Sequence, residues 1–180
     1  MMNDFFIEDT NFLTDQQKEI IDKTILGENF PFYWNNSAVG NDNLSFFTHI
    51  VLKRKENRVN DETGINSNFY DFFFDVFNTF CNKHNIKYKE LLRIAVNLSY
   101  NNGSKKSKVH KDHFFEHKQL LIYLNDVEDK NSHTCILNED MKLWKSIPPK
   151  KYKAICFGYK DHYAIMPKKG RRLIAVYTFN

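Results

Sequence analysis

A mainly β fold, a sandwich or barrel preceded by helices, is predicted by three observations along the 180 residues. Two helical apolar stripes lie in the first half. Five β-rich segments lie in the second half. No helix-length segment separates the late strands, which excludes a βαβ arrangement. The whole chain, 1–180, reads as one domain, with a helical and mixed N-terminal part over about 1–90 and a β core over about 91–180.

The first helix is announced by Thr14-Asp15-Gln16-Gln17, a capping box, after which Ile20, Ile21, Ile25 and Leu26 recur at helical spacing and Gly27 offers a stop. A second helix is expected over 67–83, where Phe69, Phe73, Val76, Phe77 and Phe80 form a stripe too apolar to face water. Between them, 28–66 mixes aromatic segments such as Phe30-Pro31-Phe32-Tyr33-Trp34 with Asn-rich turns, and reads as strands and loops. Strands follow at Leu91–Tyr100, 119–124, Thr134–Leu137, 154–159 and Arg171–Phe179, and a basic loop is expected after the Asn101-Asn102-Gly103 turn.

Composition narrows the class. An apolar content of 42% with 17 Phe and 9 Tyr argues for a folded core of large flat side chains. No apolar run reaches the roughly 20 residues that span a bilayer, and the acidic, polar start at 1–12 does not read as a signal peptide. Cys81, Cys135 and Cys156 are odd in number and widely spaced, so neither a disulfide framework nor a zinc knuckle is indicated and a cytoplasmic setting is expected. The net charge of +4 is gathered in short clusters at 105–108, 150–153 and 168–172, which read as solvated loops before they read as an anion track.

Three features of the β half point to chemistry. In Val109-His110-Lys111-Asp112, residues two apart on a strand share a face, so an imidazole and a carboxylate can meet one metal. His162 follows the 154–159 strand and would complete a 2-His-1-carboxylate facial triad, the arrangement that leaves open positions on iron(II). Arg171 and Arg172 come nine and ten residues after His162 and open the last strand, where a guanidinium could grip a carboxylate with two charge-assisted hydrogen bonds. An H-x-D triplet alone matches by chance; the order and spacing of the three features taken together carry the reading. The alternative of a zinc cluster at His110, His113 and His117 with His133 needs a helix to bring those spacings together, and no helical stripe is present there.

On these residues the chain resembles the 2-oxoglutarate- and iron(II)-dependent oxygenases, in particular the prolyl-hydroxylase-like branch with its small stand-alone microbial and viral members. The resemblance covers about 91–179, and more loosely the aromatic segment near Phe30–Trp34, and rests on Val109–Asp112, on Leu121-Ile122-Tyr123-Leu124-Asn125, on 154–157 before His162, and on Gly170-Arg171-Arg172-Leu173-Ile174-Ala175-Val176-Tyr177. It implies a double-stranded β-helix (jelly-roll, cupin-like) core backed by N-terminal helices. It further implies iron held by His110, Asp112 and His162, and 2-oxoglutarate and O2 as cosubstrates, with ascorbate a further option. Tyr123 and Tyr100 match pocket tyrosines of the family. The Gly-x-Arg pattern of the family selects Arg172. Strand parity favours Arg171, with Ala175 and Tyr177 facing the barrel and Ile174 and Val176 facing the helices, and Arg171 is preferred. Asn131-Ser132-His133-Thr134 departs from the glycine pair of many relatives and alters a turn beside the pocket.

The implied activity is hydroxylation of an unactivated C–H bond in a peptidyl (prolyl included) or small-molecule substrate, with release of succinate and CO2. Two alternatives stand beside it: a non-catalytic jelly-roll binding module, and an oxidative nucleic-acid demethylase of the same superfamily. No nucleotide-recognition lid is identifiable and no membrane partner is expected, and the sequence leaves the oligomeric state open.

Overall fold

The structure is a computed structural model that describes residues 5–38, 40, 42, 44–59 and 63–180. Parts of the 28–66 stretch therefore lie outside the described residues. Among the described residues ten strands make two sheets. The larger has the order β1-β8-β5-β10-β4-β3-β2 and the smaller β7-β6-β9. The strands are β1 (Phe6–Asp9), β2 (Tyr33–Asn35), β3 (Phe46–Leu52), β4 (Leu91–Tyr100), β5 (Lys118–Tyr123), β6 (Thr134–Leu137), β7 (Leu143–Ile147), β8 (Ala154–Phe157), β9 (His162–Ala164) and β10 (Arg171–Phe179). All of the pairings are antiparallel.

The expected basic loop is in part a strand-like segment. Lys106 bridges Ile165 and His110 bridges His162, while Ser107 N donates to Ala164 O at 2.9 Å. The small sheet is thereby extended past β9, and the His-Lys-Asp triplet falls at the end of that added edge. Two sheets facing each other in this antiparallel order form the expected jelly roll.

The helices cover the outer face of the large sheet. Helix α1 (Asp15–Ile20) continues into a wider turn over Ile21–Ile25. Its capping box is formed: Gln17 N donates to Thr14 Oγ1 at 3.1 Å and Thr14 N donates to Gln17 Oε1 at 3.0 Å. Helix α2 (Tyr70–Lys83) buries Phe73, Val76, Phe77 and Phe80. These pack on Ile94, Val96, Leu120, Ile122, Ala175, Tyr177 and Phe179, which face out of the barrel toward the helices. The opposite faces of the same strands, with Leu121, Tyr123, Ile155, Phe157, Ile174 and Val176, make a second core between the sheets. The large sheet is thus apolar on both faces, and each fully buried aliphatic or aromatic side chain contributes about 1.5–3 kcal/mol.

This arrangement reverses the expected facing of β10. Tyr177 stacks on Phe77, with ring centroids 5.6 Å apart, and Ala175 lies in the helix-side core. Ile174 and Val176 face the barrel interior instead. Alternation of side chains along the strand then puts Arg172, and not Arg171, inside.

Candidate active site

The pocket between the sheets is floored by β10, β4 and β5 and walled by β9 and the 105–112 segment. Its lining includes Arg93, Asn97, His110, Asp112, Gln119 and His162, with Arg172 among the rest. The two histidines are brought together by a reciprocal backbone pair: His110 N donates to His162 O, and His162 N to His110 O, each at 3.0 Å. Their rings stand 4.4 Å apart. His110 Nδ1 lies 2.9 Å from Lys108 O and His162 Nδ1 lies 3.3 Å from Lys160 O. A carbonyl can only accept, so each Nδ1 carries the proton and each Nε2 presents a lone pair, which in His162 accepts a long 3.4 Å hydrogen bond from Gln119 Nε2.

Asp112 supplies the carboxylate. Its Oδ1 is 4.0 Å from His110 Nε2, 3.3 Å from Arg54 Nη2 and 3.5 Å from Arg93 Nη1. Arg54 Nη1 also donates to the Asp112 main-chain oxygen. Asp112 Oδ2 is buried and has no hydrogen-bond partner, an arrangement that otherwise costs about 1–3 kcal/mol or more. Two imidazole Nε2 atoms and one orphaned carboxylate oxygen are the donor set of a facial triad, so the residues fit iron(II). Asp112 leans toward the two arginines, however. Among the described residues, no three His, Cys, Asp or Glu side chains stand close enough for a ready-made metal cage. Metal binding therefore requires the free Asp112 oxygen to turn toward the imidazoles.

The electrostatics follow from burial and from the two arginines. Burial would raise the Asp112 pKa, but Arg93, helped by His162, Arg54 and His110, holds it well below the usual carboxylate range. Burial, and then the neighbouring His110, push His162 down to about 4. A histidine with a depressed pKa folds neutral while its unfolded counterpart still binds a proton. Metal-free protein is therefore expected to lose stability as the pH falls from about 6.5 to about 4, with His162 contributing on the order of 3 kcal/mol. Buried His49 and His117, also lowered by desolvation, steepen the same limb. Urea melts across this range with chelator present should show a shallower slope in His162→Gln. An unchanged slope would mean that His162 is not buried in the neutral form.

Arg172 occupies the far end of the pocket. It is 2% exposed, its Nη2 donates to Thr134 Oγ1 at 2.7 Å, and its guanidinium carbon lies 5.3 Å from the centre of the Tyr123 ring. Tyr123 is fully buried, with its hydroxyl 2.6 Å from the same Thr134 oxygen. Asn125 sets the register: its Oδ1 accepts from Leu173 N at 2.8 Å, and its Nδ2 donates to Arg171 O at 2.9 Å. Those two bonds straddle Arg172 and hold its side chain inward.

His110, Asp112, His162, Arg172 and Tyr123 are thus gathered around one pocket, and two expected residues are not. Arg171 is solvent-exposed, a correction that follows from the inverted facing of β10. Tyr100, opposite Arg171 on β4, shares that outward parity. Its hydroxyl pairs with Ser45 Oγ at 3.0 Å and its ring lies near Trp34 and Phe47, outside the pocket lining. His113 and His133 form no zinc site with His110. His113 is held by Glu56 Oε1 at 2.6 Å and Thr178 Oγ1 at 2.7 Å, and His133 by Ser146 Oγ at 2.7 Å.

Arg54, Arg93, Gln119 and Thr134 are pocket residues that sequence reasoning missed. Arg93 carried a signal, because a charged residue inside the apolar run Leu91-Leu92-Arg93-Ile94 is rarely buried without a task.

No family model and no curated protein matches the chain. Solved structures do. An oxidoreductase of the 2OG-Fe(II) oxygenase family from Burkholderia pseudomallei superposes with a TM-score of 0.75 at 10% identity, over 97% of this chain and 84% of that one. A Pseudomonas putida prolyl-4-hydroxylase gives 0.63 at 12% identity, over 97% and 91%. The non-haem alpha-ketoglutarate-dependent epimerase SnoN, from nogalamycin biosynthesis, gives 0.65 at 10% identity, over 97% and 77%. The chain has the jelly-roll fold of the 2-oxoglutarate- and iron(II)-dependent oxygenases. Its fold neighbours include the prolyl-hydroxylase branch of that superfamily.

Proposed function

We propose that this chain is an iron(II)- and 2-oxoglutarate-dependent dioxygenase. The observation that carries the reading is one pocket with two chemically distinct ends. At one end stand the lone pairs of His110 and His162 with the orphaned oxygen of Asp112. At the other stands buried Arg172, backed by Thr134 and Tyr123. The first end is a ligand set for iron(II). The second suits the C5 carboxylate of 2-oxoglutarate, held by charge-assisted hydrogen bonds from a pre-positioned guanidinium. When bound, iron with 2-oxoglutarate and O2 supplies oxidative decarboxylation to succinate and CO2, coupled to oxidation of a substrate C–H bond.

The chain's own part is to hold and to shield. The proton on each histidine is fixed at Nδ1, and Leu121, Ile174 and Val176 line the space between the two ends with apolar surface that keeps water out. We take the outcome to be hydroxylation of a peptidyl or small-molecule substrate. Likeness to a prolyl-4-hydroxylase supports the peptidyl choice and likeness to SnoN supports a small molecule.

One observation favours the non-catalytic reading: Asp112 is drawn toward Arg54 and Arg93, away from a closed metal cage. Anaerobic titration with iron(II) and 2-oxoglutarate separates the two. An oxygenase gives the weak visible charge-transfer band of the chelate and, on admitting air, succinate. A chain that shows neither at saturating ligand is a binding module.

A further inference from the structure

Two buried or half-buried guanidiniums converge on one carboxylate at the metal-donor end of the pocket. Arg93 has a side chain only 10% exposed and Arg54 one 30% exposed, and both line the pocket. Their shared partner, Asp112 Oδ1, is at the long distances of 3.3 and 3.5 Å, and Arg93 Nε is buried without any partner. The Asp112 carboxylate meets both guanidiniums through a single oxygen, and Arg93 Nε is left over. A buried cation left partly uncompensated is costly unless something anionic completes it. Glu56 supplies a second negative charge that acts on both arginines from a distance, but its hydrogen bond goes to His113 at 2.6 Å, and among the described residues it makes no ion pair with either guanidinium.

Position separates this cation pair from Arg172. On β4, Arg93 stands opposite Thr178 of β10, and Ser99, six residues on, stands opposite Arg172. That is roughly 20 Å along the backbone, with the metal donors at the Arg93 end. The pocket is therefore cationic at both ends, and the end near His110 and Asp112 is where the group to be oxidised must lie.

We infer that the primary substrate carries a carboxylate, and that Arg54 and Arg93 receive it beside the metal donors. The inference rests on the oxygenase reading, which assigns Arg172 to the cosubstrate and places the group to be oxidised beside His110 and Asp112. An acid is oriented here by two guanidiniums, one of them fixed by burial, and an uncharged analogue would leave Arg93 with only its 3.5 Å contact to Asp112 and its Nε without a partner, and be disfavoured for that reason. Arg54 and Arg93 are thereby specificity-determining residues.

The test uses the zinc-loaded protein with saturating 2-oxoglutarate and reads the 19F NMR linewidth of trifluoroacetate. Wild type should broaden the line, and acetate should reverse the broadening. Arg54→Gln, at a partly exposed position that tolerates the change, and Arg93→Met should each lower trifluoroacetate affinity about tenfold, equivalent to about 1.4 kcal/mol. In both variants the 2-oxoglutarate affinity should stay within about threefold of wild type. Equal broadening in wild type and Arg54→Gln overturns the inference. So does a loss of 2-oxoglutarate affinity in Arg54→Gln that matches its loss of trifluoroacetate affinity, because the cation pair would then serve the cosubstrate. Arg172→Met should retain the broadening. If 2-oxoglutarate fails to bind wild type while trifluoroacetate still binds in an Arg54-dependent way, the carboxylate site stands and the oxygenase reading falls. Reversal by acetyl-glutamate amide as well as by acetate would identify an acidic side chain as an acceptable source of the carboxylate.

Discussion

Asp112→Ala is expected to abolish succinate formation and also to destabilise the metal-free protein by about 3 kcal/mol. Loss of a metal ligand usually removes activity and leaves the fold alone or improves it, because donor sets are held together at a cost. In the proposed site the carboxylate has a second task. It is the nearest counter-charge to Arg93, whose side chain is nine-tenths buried on the floor of the pocket. Removing Asp112 leaves that guanidinium with no carboxylate in contact among the described residues, and breaking a buried ion pair from one side is the expensive case. Arg54, nearly a third exposed, can turn to water and adds little to the cost. His110→Ala makes the control: it should remove activity equally while costing much less stability, since among the described residues His110 pairs with no buried charge other than Asp112 and its side chain is 21% exposed. Urea melts in chelator, paired with succinate assays, give both numbers. If Asp112→Ala melts like wild type, the ion pair carries no stability and Asp112 is a ligand alone.

How much of this was legible in the sequence depended on what each residue had to contend with. The strands Leu91–Tyr100, Thr134–Leu137 and Arg171–Phe179 were placed correctly because runs of branched and aromatic residues bounded by turns specify extended chain locally. Which way β10 faces was not legible. The large sheet is apolar on both sides, one against the helices and one against the barrel, so alternation identifies two faces without saying which is inner. Strand parity alone puts aromatic Tyr177 in the pocket, yet Phe73 and Phe77 of α2 supply it with flat partners outside. The Arg171 preference failed with it.

Strands β1 and β7 went unseen for a different reason. Phe6–Asp9 is an edge strand completed by β8, more than 140 residues away, and nothing local marks such a pairing. His110, Asp112 and His162 could be singled out as candidate donors because such chemistry requires particular residue types at particular spacings, and the fold brings them to one pocket. Arg54 was not, because its contact with Asp112 spans 58 residues and comes from the fold alone.

Arg172→Met should weaken 2-oxoglutarate binding about a hundredfold or more, while Arg171→Met changes it less than about twofold. The first figure follows from losing a buried, charge-assisted grip on a carboxylate, about 3 kcal/mol. The second follows from the exposed position of Arg171. Stability should move the other way. Among the described residues no acid pairs with Arg172: Nη2 has Thr134, Nε has no partner, and the guanidinium rests over the Tyr123 ring. A buried charge without a counter-ion is a standing cost, and methionine is long and flexible enough to fill the same space. Metal-free Arg172→Met is therefore expected to be at least as stable as wild type, in contrast to Asp112→Ala. Calorimetric titration with 2-oxoglutarate, alongside melts of the same samples, reads both effects. Reversed arginine roles in the titration would mean that β10 faces the other way. A marked loss of stability in Arg172→Met would mean that the guanidinium already has the partner for which the pocket is proposed to wait.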